Sequence, residues 1–241
     1  MKRATLTSRL VLILFLTALC FGTLSAGAWE RFERTYTPRR AAHLSITNTQ
    51  GEISVTAWNR KTVSVRANTT PPASVVDQVA GDDINISVKP GLRLGRADFE
   101  VYVPADASLT LNNVIGQIEV KGLTGHLSIK SFNSNVKMTD IRSSSVDVLV
   151  TSGNVSFDGE LQRDGSYSLQ SMRGDIDVSI PTESSFQLTA RALNDNINLG
   201  DFLSSLSGLT RGSKQISGTH GNGGPRLSIT AFAGRVLLHK K

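Results

Sequence analysis

Cysteine is almost missing from this chain: Cys20 is the only one among 241 residues. A scaffold held together by disulfides is therefore excluded, because such proteins carry several cysteine pairs. The 21 glycines follow no strict three-residue period, which excludes a collagen-like fibre. Aromatic residues make up only 6% of the chain, yet the hydrophobic share of 39% is too high for a disordered protein. The sequence thus predicts a folded domain that is stabilised by packing and hydrogen bonds.

Residue combinations that carry chemistry are also scarce. The four histidines are scattered and show no paired metal-ligand spacing: His43, His126, His220 and His239. No G-x-S-x-G segment is present, and the glycine-rich stretch 221–224 is not followed by Lys-Ser/Thr. Asp175 and Asp177 could serve calcium or glycoside chemistry, but only Asn and Ser surround them, so solvated charges are the better interpretation. We therefore predict no catalytic residue, no metal ligand and no cofactor, and a protein that is not an enzyme.

The first 28 residues have the pattern of a secretory signal peptide. Three basic residues precede the apolar run 10–21, and Ala26-Gly27-Ala28 fits an A-x-A cleavage sequence before Trp29. Two alternatives are an uncleaved membrane anchor, for which the apolar run is short, and a lipoprotein modified at Cys20. We predict cleavage between Ala28 and Trp29, and a mature protein that is exported to the periplasm, the cell surface or the medium.

The basic balance of the chain comes in part from this segment. Residues 1–28 hold three positive and no negative charges, so their removal lowers the formal net charge from +6 to +3. The rest of the sequence has no basic cluster with interleaved aromatic residues, which a nucleic-acid-binding surface would need. We predict no nucleic-acid partner, and contact with a membrane only through the N-terminal segment if it is not cleaved.

One repeat organises the rest of the chain. Written Φ-x-Φ-x-x-x-x-G-x-Φ-x-Φ, with Φ an aliphatic or similar residue, it occurs seven times. Leu109, Leu111, Ile118 and Val120 fill the Φ positions of the second copy. The anchor position, written G, is occupied by Gly51, Gly116, Ser134, Gly153, Gly174, Asp195 and Gly234. Between Gly116 and Asp195 the anchors are 18 to 21 residues apart, which is typical of one coil of a stacked repeat protein.

The alternation on both sides of the anchor predicts strands with one buried and one exposed face. A single such unit cannot bury its apolar face, whereas stacked units can. We predict an all-β fold, a β-solenoid or single-stranded β-helix-like stack of about 20-residue repeats, with a β-sandwich as the alternative. Residues 29–241 would form one domain, with regular repeats at 109–199 and 227–238.

Three segments depart from the repeat. Residues 73–80 and 202–209 are expected to form short helical turns. The Ser- and Gly-rich stretch between Leu199 and Leu227 is expected to leave the stack as an exposed excursion.

The residue that follows each anchor points outward and forms a polar file along the predicted stack. We expect Asn135, Asn154, Asp175 and Asn196 to lie on consecutive rungs, about 4.8 Å apart. One interpretation is a solvated face with hydrogen-bonded Asn ladders. The other is a flat surface that binds sugar hydroxyls, and these four residues are our candidate binding file.

Several segments resemble a known family. They are LSITNTQGEISVTAW (44–58), ADFEVYVPADASLTL (97–111), the recurring G-[DNQ]-[IV]-x-V half-units and the C-terminal SGTHGNGGPRLSITAFAGRVLLHKK. The chain resembles the bacterial adhesin-type β-strand-repeat family, similar to the heads of autotransporter adhesins and of unknown function. The resemblance covers about residues 40 to 240 and implies an exported, envelope-associated β-solenoid. No catalytic residues belong to the family pattern.

These observations together predict a non-enzymatic envelope or surface protein that acts as an adhesin-like binding or structural module of unknown ligand. The partner would be an envelope glycan or a protein, and the open ends of the stack could support self-association. One alternative is an envelope-maintenance scaffold that binds a protein partner. A polysaccharide-acting β-helix enzyme is the other.

Overall fold

The computed structural model describes residues 30–89, 95–193 and 196–241. The predicted cleavage site at Ala28 and Trp29 and the anchor residue Asp195 lie outside these residues. Within them the chain forms eighteen strands and one 3-10 helix. The strands are β1 (Glu30–Tyr36), β2 (His43–Trp58), β3 (Val63–Thr69), β4 (Val75–Ala80), β5 (Asp83–Val88), β6 (Ala97–Pro104), β7 (Ser108–Lys121), β8 (Leu127–Ile141), β9 (Ser145–Ser152), β10 (Val155–Gly159), β11 (Ser166–Arg173), β12 (Ile176–Ile180), β13 (Phe186–Ala192), β14 (Ile197–Asn198), β15 (Leu206–Arg211), β16 (Gln215–His220), β17 (Arg226–Ala233) and β18 (Val236–Lys240), with the helix at Gly200–Ser205.

The repeats stack into two sheets, and each repeat gives one strand to each. The long strands β2, β7 and β8 pass from one sheet to the other at the anchor, so the first part of β2 pairs with β5 and the second part with β6. Sheet A has the order β4-β5-β2-β7-β8-β9-β11-β17-β13-β16-β15. Sheet B has the order β1-β3-β6-β2-β7-β8-β10-β12-β18-β14. Pairing is parallel within both stacks and antiparallel only towards their ends, which confirms the predicted β-solenoid.

Aliphatic columns form the core between the sheets. Equivalent positions meet rung on rung, and the column in sheet B consists of Ile53, Ile118, Val136, Val155, Ile176 and Val236, each at most 2% exposed. Tyr167 is buried in the same core, where its hydroxyl donates to the Ser143 carbonyl (2.6 Å) and accepts from the Gln162 amide (2.7 Å). Burial raises the pKa of this phenol. The alternation in the sequence therefore identified the buried face correctly.

The rungs do not follow the order of the chain at the C-terminal end. β17 pairs with both β11 and β13, and β18 pairs with both β12 and β14. The repeat anchored at Gly234 therefore lies between the rung of Gly174 and the rung formed by β13 and β14. Our expectation that consecutive repeats stack consecutively is wrong here, because the last repeat inserts between its two predecessors.

The segments outside the repeat also differ from expectation. Residues 75–80 form strand β4, antiparallel to β5, and not a helical turn. The 3-10 helix at 200–205 agrees in part with the turn expected at 202–209, but residues 206–211 form strand β15. The expected excursion is largely a hairpin, since β16 pairs with β13 and buries Ile216. A strand at the end of a stack has unpaired backbone groups, and pairing with a hairpin satisfies them.

Candidate functional site

Each repeat turns from sheet A into sheet B beneath a carbonyl of the previous rung. A Cβ atom on Gly116 would lie 1.9 Å from the Gly51 carbonyl oxygen, and one on Gly174 would lie 2.1 Å from that of Gly153. Both glycines also have φ near +140° (+144° and +138°), a conformation that side-chain-bearing residues rarely adopt. Gly234 has no such φ, but its Cβ would meet the Gly174 oxygen at 2.0 Å. The close approach of each anchor to a carbonyl oxygen of the neighbouring rung therefore explains why glycine occupies Gly51, Gly116, Gly153, Gly174 and Gly234.

Ser134 occupies the anchor with an ordinary φ and joins a buried polar cluster. Its Oγ accepts from Ser131 Oγ (2.6 Å) and from Asn113 Nδ2 (3.2 Å). Asn113 also donates to the Gly51 carbonyl (3.2 Å), and Ser171 donates to the Gly153 carbonyl (3.0 Å). Asn113 and Ser171, each three residues before an anchor, thus donate hydrogen bonds to the anchor carbonyl of a neighbouring rung inside the stack.

The predicted binding file forms a hydrogen-bonded ladder on the outer face of sheet B. Asn135 Oδ1 accepts from the Asn154 amide (2.9 Å), Asn154 Oδ1 from the Asp175 amide (2.9 Å), and Asp175 Oδ1 from the Arg235 amide (2.8 Å). At the other end of the stack, Asp98 Oδ1 accepts from the Glu52 amide in the same way (2.8 Å). One oxygen of each of these four acceptor side chains is therefore used to hold the next rung.

The structure brings three members of the file together and separates the fourth. Arg235 stands between Asp175 and Asn196, whose own carbonyl accepts from the Val236 amide at 2.9 Å. The Arg235 guanidinium lies 2.6 Å from Asp175 Oδ2, and this contact lowers the pKa of the Asp175 carboxyl. Asn196 itself is exposed.

Polar and charged side chains on this face contact neighbours one rung away. His239 Nδ1 lies 3.2 Å from Asp177 Oδ1, and Lys137 Nζ lies 3.8 Å from Glu119 Oε1. Among the described residues no group of three or more acidic, His or Cys side chains could hold a metal ion. The face is thus a flat array of paired charges and amides.

One shallow groove at the N-terminal end of sheet A brings together residue types used in hydrolases. It encloses about 570 Å³ and is lined in part by His43, Asp83 and Ser108. His43 Nδ1 lies 3.1 Å from Asp83 Oδ1, and both side chains are more than 60% exposed. Ser108 faces His43 in the next strand, but no hydrogen bond joins their side chains in the described part of the chain. An exposed pair of this kind lacks the water-excluded surroundings that catalysis by a triad needs.

Sequence reasoning missed a row of apolar side chains at the turn between the sheets. They occupy the second position before the anchor on five rungs and are 37 to 59% exposed: Val114, Phe132, Met172, Phe232 and Leu193. We call this row the corner ridge. The signal was present in the sequence, because turn residues between strands are usually polar, whereas bulky apolar residues recur here at one fixed offset from the anchor.

No helix within the described ranges is long and apolar enough to span a bilayer.

Comparison with known proteins places the chain in a family. No curated protein of known annotation matches its sequence. Among solved structures, it is similar to a candidate cell adhesion protein from Clostridium sporogenes, with 11% identity, a TM-score of 0.49, and coverage of 89% of this chain and 100% of that one. A candidate adhesin from Bacteroides fragilis is also similar, with 11% identity, a TM-score of 0.42, and coverage of 89% and 99%. The family profile of Toastrack DUF4097 matches residues 43–238, so the chain belongs to the Toastrack DUF4097 family.

Proposed function

We propose that this protein is a non-enzymatic, exported, adhesin-like binding module of the cell envelope, which recognises an envelope glycan through the outer face of sheet B. The observation that carries the proposal is the ladder, which fixes amide and carboxylate groups at a constant spacing of about one strand. Groups held in this way lose little conformational freedom when a ligand binds, which favours affinity.

The ladder leaves amide donors free for a ligand. Asn135 and Asn154 use Oδ1 for the backbone of the next rung, so their Nδ2 groups remain available. Asn196 adds a further exposed amide beyond Arg235. Hydroxyl-rich glycans match such a row of amide donors, and a stacked repeat repeats the row along the length of a polymer.

The test is a binding measurement with the protein's own lipid-extracted cell-envelope glycan. The variant Asn135→Asp/Asn196→Asp keeps the oxygen acceptors but removes two amide donors. The matched control, Thr110→Asp/Ser228→Asp, adds the same two charges to the outer face of sheet A. We expect the first variant to weaken saturable binding by about tenfold or more, since lost hydrogen bonds at a ligand cost about 1 kcal/mol each. The control should bind as the unchanged protein does.

Other outcomes would replace the proposal. Equal glycan binding by both variants, or no saturable binding at all, would show that sheet B is not the glycan site. Recovery of a single envelope protein in stoichiometric amount would favour the scaffold alternative. Release of new reducing ends from the glycan would show a polysaccharide-acting enzyme.

A further inference from the structure

The corner ridge follows one line along the stack and is interrupted once, at Thr151. The residues on either side of it are in register, with Asn113 opposite Ser131 and Ile115 opposite Asn133, and the pairing continues up to Arg173 opposite Ala233. On the last rung Ala192 lies opposite Ala231. Along the stack the ridge positions read Val114, Phe132, Thr151, Met172, Phe232 and Leu193. Six rungs at about 4.8 Å give a line about 24 Å long.

The ridge concentrates the exposed apolar surface of the described chain. Among the described residues nine large hydrophobic side chains are exposed, and seven of them lie at this turn. These seven are the five ridge residues together with Ile115 and Leu149. Leu149 lines a shallow groove beside Phe132 and widens the ridge there. Single exposed apolar residues are ordinary, but an aligned group of this size marks an interaction surface.

The four residues that precede each anchor carry charges of one sign. The four residues before the anchors are 47–50, 112–115, 130–133, 149–152, 170–173, 191–194 and 230–233, and their sequences contain no Asp or Glu; Asp195 is the one acidic anchor. These segments do contain Lys130, Arg173 and Arg191, which are exposed and form no ion pair within the described residues. Asp175, two positions beyond Arg173, is paired with Arg235.

We propose that the corner ridge docks the protein onto an anionic lipid surface, with the ridge side chains entering the headgroup boundary and the three cations contacting lipid phosphates. The ridge side chains are exposed in a line at the turn between the sheets, and a fluid lipid surface can adapt to such a line. Cations beside an apolar strip complement anionic headgroups.

The same charges disfavour a second copy as the occupant. A symmetric contact of ridge on ridge would bring Lys130, Arg173 and Arg191 of one copy against those of the other, and the four residues before each anchor supply no acidic side chain to separate them. Like charges brought together in this way oppose association. This inference does not depend on glycan binding by sheet B, because the two surfaces use different residues.

The test uses residues 29–241, the chain that the predicted cleavage leaves. This form keeps every described strand and all of the core, which extends from Ala42 to Leu238. It also removes the apolar run 10–21, which would bind lipid by itself. Flotation is measured with vesicles of phosphatidylcholine alone and with vesicles in which about a third of the lipid is phosphatidylglycerol.

The first variant, Phe132→Ser/Phe232→Ser, removes the two largest ridge side chains. Its matched control, Val79→Ser/Leu209→Ser, removes two apolar side chains that are 51% and 42% exposed away from the ridge. We expect the ridge variant to lower binding to the anionic vesicles by about tenfold or more, because each phenylalanine loses its transfer out of water. The control should bind unchanged, and both should unfold at the wild-type temperature.

The second variant, Lys130→Gln/Arg173→Gln/Arg191→Gln, removes the cations of the turn. We expect it to lose the preference for anionic over neutral vesicles and the sensitivity of binding to salt. The control Lys61→Gln/Arg163→Gln/Arg226→Gln changes the net charge equally at exposed sites away from the ridge and should keep both properties.

Three results would overturn the proposal. The first is no flotation with either vesicle. The second is equal flotation of the ridge variant and its control. The third is a concentration-dependent dimer, seen by sedimentation, that the ridge variant abolishes, because the ridge would then be an interface between copies of this chain.

Discussion

At the scale of single residues, close approach of the backbone decides which side chains are tolerated. The anchor position sits beneath a carbonyl oxygen of the previous rung, so the space for a Cβ atom is absent at Gly116, Gly153 and Gly174. Ser134 shows the one described alternative, in which the residue adopts an ordinary φ and its hydroxyl is bonded inside the turn. The anchor is therefore a packing constraint as well as a conformational one.

Replacement of Gly174 by alanine should destabilise the protein strongly. The new Cβ would lie 2.1 Å from the Gly153 oxygen at a φ of +138°. The two rungs would therefore have to move apart to accommodate it. We expect a loss of more than about 2 kcal/mol in the free energy of unfolding, measured by urea denaturation. Gly81→Ala is the control: φ is +67° there and no atom lies within 4 Å, so a cost of about 1 kcal/mol is expected. Equal losses would contradict the close-approach explanation.

The Asp175–Arg235 pair should make stability depend on acid pH. The pKa of Asp175 is lowered because Arg235 donates hydrogen bonds to its carboxylate, first through the side chain and then through the backbone. The stabilisation is therefore complete above the ordinary carboxyl pKa of about 4 and disappears as the pH falls through the lowered value. Asp175→Asn should flatten the fall of unfolding free energy below about pH 4, whereas Asp164→Asn, at an exposed carboxylate, should leave the wild-type slope. Identical slopes for wild type and Asp175→Asn would count against the pair.

At the scale of the strands, side chains as well as backbone ladders join the rungs. On three successive rungs, the side chain of the residue that follows the anchor accepts a hydrogen bond from a backbone amide of the next rung. These residues are Asn135, Asn154 and Asp175. The amide that donates this hydrogen bond is at the turn, just before the parallel ladder resumes at Val155 and Ile176. The ladder therefore satisfies backbone groups that the turn would otherwise leave to solvent.

Asn135 offers a test of this ladder. Asn135→Leu keeps the approximate volume but removes the acceptor for the Asn154 amide, so we expect a loss of about 0.5–1.5 kcal/mol in unfolding free energy. Asn135→Asp keeps an acceptor oxygen next to the neutral side chains of Gln117 and Asn154, and should stay within about 0.5 kcal/mol of wild type. If both variants were equally unstable, the hydrogen bond would not be the cause. The measurement is again urea denaturation.

At the scale of the whole molecule, an aromatic cluster covers the end of the stack at β13, whereas aliphatic columns fill its middle. Phe202 from the 3-10 helix and Phe186 from β13 meet edge to face with ring centroids 5.4 Å apart, and His220 from β16 stacks on Phe186 at 5.2 Å. The His220 ring also lies 2.6 Å from the Ser184 carbonyl oxygen. This aromatic cluster attaches the β15–β16 hairpin to the last rung and covers a sheet end that could otherwise pair with another chain.

Loss of this cover should cause self-association. Phe202 is fully buried, so Phe202→Ala should cost about 3–5 kcal/mol and loosen the hairpin from β13. We expect oligomers that grow with protein concentration, seen by size-exclusion chromatography with light scattering. Phe132→Ala is the control with the same substitution at a 59% exposed site, and it should change neither stability nor mass. A destabilised but strictly monomeric Phe202→Ala protein would argue against the capping role.

The facing of each strand was predictable from the sequence because it depends on local alternation. Ile176 is fully buried and its neighbour Asp175 is outside, as a period of two requires. The fixed spacing within each repeat predicted a stack of coils, because columns of equal repeats can stay in register only when the repeats are superimposed. The family resemblance pointed to the same solenoid. The sequence by itself therefore determined the all-β class, the buried columns and the position of the turn.

The tertiary structure alone decided which rung lies beside which. Placement of the Gly234 repeat between the rungs of Asp175 and Asn196 depends on pairing between strands that are distant in the chain, and no local pattern records such pairing. For the same reason β4, the capping hairpin and the alignment of Val114, Phe132 and Phe232 into one ridge became visible only when the rungs were stacked. Local periodicity specifies how a strand faces, whereas non-local contacts specify its neighbours, and it is the neighbours that create the surfaces of this protein.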